Sequence, residues 1–166
     1  MRQSKTLLFA SDHAGLELKN SLVDFARGHG YRVIDLGPRQ YISIDNYPET
    51  IAPLAERISS NPDGYIGIVV GGSGQGEAIV CNRFAHVRAA VYYGGPMDLV
   101  ILSRRHNDAN VLSFGARFLD EKQAKDALQV WLRTDFEGGR HVARVSEIEH
   151  VAGSFFVRLL RSFGLR

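Results

Sequence analysis

The run YIGIVV (Tyr65–Val70) is apolar along its whole length rather than at alternate positions. An alternating strand can leave one face in water. A continuous one must be covered on both faces, which is the habit of a parallel sheet held between helices. Four more short apolar runs accompany it: TLLFAS (Thr6–Ser11), YRVIDLG (Tyr31–Gly37), RAAVYY (Arg88–Tyr93) and NVLSFG (Asn110–Gly115). Amphipathic stretches separate them. Leu18, Leu22, Phe25 and Ala26 form a helical stripe ending near Gly28 and Gly30. A helix from about Pro48 to Ser60 is stopped by Asn61-Pro62-Asp63-Gly64. Further helices carry Ala78, Ile79 and Phe84, begin near Pro96, and carry Ala124, Ala127, Leu128, Trp131 and Leu132. Every connection is long enough for a crossover, so the expected fold is α/β, a three-layer α/β/α arrangement around a five-stranded parallel sheet.

With 166 residues the chain fits one domain. The expected division is an α/β domain over 1–144 and an extra C-terminal helix over 145–166. In that helix Val145, Ile148, Ala152, Phe155, Phe156, Leu159 and Phe163 share one side. A stripe this wide, arriving after the sheet is complete, is expected at a subunit interface, although a plain packing helix would show the same pattern.

Several classes are disfavoured. Twenty Lys and Arg stand against eighteen Asp and Glu without clustering, so no nucleic acid partner is expected. No apolar run approaches the roughly 20 residues that span a bilayer. Thr6–Ala10 is too short for a signal-peptide core, which makes a cytoplasmic protein the expectation. The single cysteine, Cys81, can form neither an internal disulfide nor a metal-binding pair. No HExxH motif or carboxylate cluster with ligand spacing appears, and neither metal nor cofactor is expected.

Ligands of parallel sheets bind beyond the carboxyl ends of the strands, and the polar motifs are expected there. Ser11-Asp12-His13-Ala14-Gly15 follows the first strand. Asp12 could serve as a helix cap, and His13 beside it could contact an anion. Gly71-Gly72-Ser73-Gly74-Gln75-Gly76-Glu77 follows the third, with four glycines in six residues. Such a turn leaves backbone N–H groups open to an anion or a reaction oxyanion. It is neither a dinucleotide fingerprint nor a Walker loop. Glu77 could be a simple partner of the helix dipole. A carboxylate beside oxyanion donors is also what enolisation requires, with one group taking the proton and the others holding the charge. Cys81, one turn later, reads as a buried structural cysteine rather than a nucleophile. Ser103–Asn110 (SRRHNDAN) leads into the fifth strand, and Phe114-Gly115-Ala116-Arg117 ends it. In Glu137–Arg144 (EGGRHVAR), Arg140 and Arg144 share a helix face with His141 adjacent, a pairing that suits a phosphate.

SDHAG, DNYP (Asp45–Pro48), GGSGQGE, SRRHNDANVLSFGAR and EGGRHVARV occur in the order found in the ribose-5-phosphate isomerase B and galactose-6-phosphate isomerase family, which residues 5–150 resemble. The resemblance implies a flavodoxin-like or Rossmann-like domain that isomerises a sugar phosphate without metal or cofactor. It implies a homodimer or dimer of dimers with shared active sites. The expected substrate is ribose 5-phosphate; erythrose 4-phosphate, allose 6-phosphate and galactose 6-phosphate are alternatives, as is a non-catalytic phosphosugar-binding regulator. By the same resemblance Asp12 and His13 contact substrate, and Gly72, Ser73, Gly74, Gln75 and Gly76 form an anion hole with Ser73 near the reacting carbons. His106 opens the sugar ring with Asn107 beside it, and Arg117, Arg140, Arg144 and His141 grip the phosphate. Many members carry a catalytic cysteine where this chain has Gly71. The chain is similar instead to a branch whose base is a glutamate just after the loop, here Glu77.

Overall fold

The computed structural model describes residues 5–41 and 46–162, with side chains as far as Val151. The strands are β1 (Thr6–Ser11), β2 (Val33–Asp35), β3 (Tyr65–Gly71), β4 (Ala89–Tyr92) and β5 (Val111–Gly115). All pair in parallel, in the order β2-β1-β3-β5-β4. The helices are α1 (Leu16–Gly28), α2 (Tyr47–Ser60), α3 (Gln75–Cys81), α4 (Asp98–Arg105), α5 (Glu121–Arg133) and α6 (Arg140–Ser162).

The pleat of β1 builds both layers. Leu7 and Phe9 join a core with Leu22 and Val23 of α1, Val100 of α4 and Trp131 of α5. Leu8 and Ala10 join the opposite core with Ile51, Leu54 and Ile58 of α2 and Cys81 of α3. A Cβ on Gly67 would lie 2.7 Å from both Ile58 and Leu54, so α2 rests directly on the backbone of β3. The two edge positions fall to β2 and β4, and β5 lies beside β3. This exchanges the last two strands relative to the flavodoxin order. It also brings the end of β5 next to the glycine turn: Ala116 N–H donates to Gly71 O at 2.8 Å and Arg117 N–H to Gly72 O at 3.1 Å.

YRVIDLG is expected as a seven-residue strand, yet only Val33–Asp35 pairs. The buried Lys19 explains the shortening. Its Nζ lies 2.8 Å from both Asp35 carboxylate oxygens and 2.9 Å from the Pro38 carbonyl, folding the chain back at Gly37 (φ +98°). α6 begins at Arg140, so the boundary expected between 144 and 145 falls inside one helix. Of its expected apolar stripe, Val145 is half-buried and Ile148 is exposed. The side chains of Ala152, Phe155, Phe156, Leu159 and Phe163 lie outside the described residues, as does Asp45. Among the described residues no helix is long and apolar enough to cross a membrane.

Candidate active site

At the carboxyl end of the sheet, close backbone approach creates the space. Gly71 closes β3, and a Cβ there would fall 2.1 Å from the carboxyl carbon of Glu77. The Glu77 carboxylate, in the first turn of α3 and 4% exposed, therefore rests on the Gly71 backbone. Gly74 (φ +76°) starts α3 in a left-handed conformation, and its carbonyl accepts from Ser113 Oγ at 2.5 Å. Ser73 Oγ accepts from Gln75 N–H at 3.3 Å. Gly76 faces the Tyr47 ring, which a Cβ would approach to 2.9 Å, and the Arg117 guanidinium lies over Gly72.

Asp12, expected as a helix cap, closes a turn instead. Its Oδ1 accepts from Gly15 N–H at 2.7 Å, and Gly15 is the N-cap of α1. Asp12 N–H donates to Val70 O, and a Cβ on Gly15 would sit 2.2 Å from that oxygen; the chain must clear β3 before it can coil. His13 stands edge-on to Tyr41, with ring centroids 5.9 Å apart. His13, Tyr41, Glu17 and Arg117 line an open cleft of about 470 Å³.

The remaining expected residues gather elsewhere. His106 caps the C-terminus of α4, and its ring stacks on His141 at the start of α6, with centroids 4.3 Å apart and planes 7° from parallel. Glu137 joins them: its N–H donates to Arg105 O at 3.0 Å and its Oε2 lies 2.6 Å from Arg105 Nη2. Arg140 and Arg144 are exposed on the same first turns of α6. His141 is held below the ordinary imidazole range, chiefly by burial, then by the nearby His106 and Arg140, with Glu137 acting in the opposite sense. The ring is thus biased toward its neutral form.

His106, Glu137 and His141 bring their ligand atoms within 4.8 Å of one another. Ring lone pairs lie in the ring planes, and near-parallel planes do not converge on one ion. Arg105 already occupies Glu137, and Arg140 Nε lies 3.5 Å from His141 Nε2. Such a basin suits an anion better than a cation.

Contrary to expectation, the motifs do not all lie just beyond strands. His106 and Asn107 precede β5, and β5 pairs Val111 with Gly67 and Gly115 with Gly71. Four residues of strand, about 13 Å, already separate these levels, and His106 lies further still. One chain brings together Asp12, His13, Gly72–Gly76, Glu77 and Arg117 at one end, and His106, Asn107, Arg140, His141 and Arg144 at the other. Tyr41 and Tyr47 were not singled out from the sequence. Tyr47 stands in the DNYP segment, and its place before Pro48 at a helix start was the available signal.

Residues 7–148 match the model of a family described as Ribose/Galactose Isomerase. The chain is 39% identical over 145 residues to ribose-5-phosphate isomerase B of Escherichia coli K12, covering 87% of this chain and 94% of that one. It is 34% identical over 148 residues to a probable ribose-5-phosphate isomerase B of Mycoplasma pneumoniae, covering 89% and 95%. Among solved structures it resembles ribose-5-phosphate isomerase B of Mycoplasma genitalium with bound ribulose 5-phosphate. The TM-score is 0.87 at 31% identity, over 91% of this chain and 98% of that one.

Proposed function

The chain belongs to the ribose/galactose isomerase family and is a sugar-phosphate isomerase, and from that premise we propose that it interconverts ribose 5-phosphate and ribulose 5-phosphate with Glu77 as base. The observation that carries this reading is the Glu77 carboxylate seated on Gly71 at the mouth of the glycine turn. A cysteine at position 71 would need the volume that this carboxylate fills. The two branches of the family thus place alternative bases in one space, and this chain has the glutamate.

The active site takes Asp12, His13, Gly72–Gly76, Glu77 and Arg117 from one subunit and His106, Asn107, Arg140, His141 and Arg144 from another. The separation of the two groups within one chain supports this, as does the exposure of Ile79, Ile148 and Val151. The phosphate lies among Arg140, Arg144 and His141, facing Arg117 and His13. His106 protonates the ring oxygen as its bond to carbon one breaks, the hydroxyl on carbon one gives its proton to solvent to become the aldehyde, and His106 takes a proton back from solvent. Glu77 takes the proton from carbon two, and negative charge spreads to oxygen one, where the N–H groups of the 72–76 turn receive it. The Ser73 hydroxyl relays the proton of oxygen two to oxygen one, and Glu77 returns its proton to carbon one. The product is the ketose, with no net gain or loss of protons or electrons. A non-catalytic regulator would have no need of Glu77 and His106, and both are present.

Purified protein should show its highest kcat/KM on ribose 5-phosphate when compared with erythrose 4-phosphate, allose 6-phosphate and galactose 6-phosphate. A larger kcat/KM on a four- or six-carbon substrate would overturn the substrate assignment while leaving the reaction class in place.

A further inference from the structure

Among the described residues two non-glycines adopt a left-handed backbone, His86 (φ +64°) and Asp108 (φ +44°), and one ion-pair network holds both. α4 ends in a wide turn with Asp108 in the left-handed region, where glycine is the usual residue. Ala109 N–H reaches back to Ser103 O at 2.9 Å and Asp108 N–H to Arg104 O at 3.1 Å, enclosing His106 and Asn107 in the last turn. Asp108 holds the left-handed position. Its Oδ1 lies 3.1 Å from Arg104 Nη2, its Oδ2 lies 3.1 Å from Arg88 Nη2, and its carbonyl accepts from Arg88 Nε at 3.0 Å. Arg104 is 2% exposed, so Asp108 is the counter-ion of a buried guanidinium. Arg88 continues to Glu149 of α6 at 2.8 Å, and Glu149 accepts from His86 N–H at 3.1 Å. The turn that carries His106 is thereby tied to the helix that carries Arg140, His141 and Arg144.

Glycine would suit this backbone better than aspartate, and non-glycine residues kept at unfavourable φ cluster at functional sites. We infer that Asp108 is a positioning residue for the isomerisation: its carboxylate, clamped between Arg104 and Arg88, fixes the His106–Asn107 turn against α6 and keeps His106 stacked on His141. This rests on the proposed role of His106 in ring opening. The clamp acts on geometry and makes no contact with substrate.

Asp108→Gly separates the clamp from the turn, because it favours the backbone while removing the carboxylate. Two readouts are needed: kcat and KM on ribose 5-phosphate, and the ring-proton resonances of His106 and His141, assigned with His106→Asn and His141→Asn. Mutual stacking at 4.3 Å displaces these resonances upfield. The expected result is a kcat lower by about tenfold, KM within about threefold, and both resonances moved toward ordinary histidine positions. Unmoved resonances overturn the clamp, whatever kcat does. Moved resonances with kcat within about twofold of wild type sink the role of His106, and the positioning role with it, leaving only a structural clamp. Should Asp108→Gly fail to fold, Arg88→Lys carries the test. Lysine keeps the charge but cannot hold the Asp108 carboxylate, the Asp108 carbonyl and Glu149 together. A kcat lower by about threefold with moved resonances is expected, and wild-type behaviour on both overturns the proposal.

Discussion

The two ends of the sheet use glycine for opposite purposes. At the carboxyl end, Cβ atoms on Gly71, Gly74, Gly76 and Gly115 would come within 3.0 Å of neighbouring atoms. These glycines let backbone and side chains crowd together, and this end is largely backbone packed around the Glu77 carboxylate. At the amino end, Gly138 and Gly139 would meet nothing within 4 Å, but have φ of +71° and +54°. They turn the chain from α5 into α6, and the resulting site is made of side chains: imidazoles and guanidiniums on helix ends. A backbone-built hollow can hold a developing oxyanion rigidly, whereas a side-chain basin grips a dianion and moves protons. Neither end has both. Within one chain the Glu77 carboxylate stands apart from His106, Arg140, Arg144 and His141, with Arg117 alone of the expected phosphate residues at its own end.

The largest effect should come from Glu77→Gln, which preserves shape and donors while removing the base. Its kcat should fall on the order of 10²–10⁴-fold with substrate binding within about tenfold. Retention of more than about a few per cent of kcat would remove Glu77 from that role. Mixing this variant with His106→Ala chains, under conditions that exchange subunits, tests whether the two ends complete each other. Random pairing makes half the dimers mixed, each with one intact site if the residues come from different subunits, so activity should recover to roughly a quarter of wild type. No recovery despite proven exchange would mean that the two ends do not meet across subunits in this pairing.

Much of this contrast was legible in advance. The continuous apolar character of Tyr65–Val70 required a sheet covered on both faces, and the five strands and their helices follow that reading, except that β2 is shorter and α3 stops at Cys81, before the expected Phe84. The glycine turn and Glu77 lie where a strand-to-helix turn must put them. What escaped was the division into two ends. In a parallel sheet a motif that precedes a strand lies at its amino end, so His106 before β5 carried the information, but proximity in motif order obscured it. The strand order is not written in any local pattern, because β4 and β5 are both short apolar runs that could sit beside β3. Tyr41 and Tyr47 reach the site through contacts between segments distant in sequence, His13 in one case and Gly76 in the other. The shortening of β2 depends on Lys19, a charged residue that periodicity assigns to a helix surface but that is fully buried on Asp35.

A smaller effect should mark the amino end as a binding basin. Arg144→Ala should raise KM by about tenfold or more while changing kcat little, because a phosphate contact made throughout the reaction stabilises ground and transition states alike. The loss of one charge-assisted contact corresponds to about 1.5–3 kcal/mol. An unchanged KM would place Arg144 on a solvated face. The base would then work with a phosphate grip confined to Arg117, Arg140 and the imidazoles.

The smallest effect on turnover should come from Cys81→Ser, and it sharpens which group at the carboxyl end can act as base. Cys81 is fully buried one turn after Glu77, and its thiol is pushed up from 9.0 to about 12, first by burial and then by the Glu77 charge. Near neutral pH it is a protonated thiol and no rival to the carboxylate, so kcat should stay within about twofold of wild type. Serine should nevertheless cost about 1–3 kcal/mol of stability, because its hydroxyl enters an apolar core of Ile51, Leu54 and Val69. The raised thiol also leaves a mark on alkaline stability. Below pH 9 both folded and unfolded chains keep the proton and the thiol contributes no pH dependence. Between about 9 and 12 the unfolded chain loses it while the folded chain does not, so stability falls as pH rises, by about 1.4 kcal/mol per pH unit from this group. Cys81→Ser should lose that component of the slope, and urea unfolding at pH 8, 9 and 10 measures it. Equal slopes in the two proteins would mean that the thiol ionises at an ordinary pH in the folded chain. Together with a large loss of kcat in folded Cys81→Ser, that would transfer the base from Glu77 to the thiolate one turn below it.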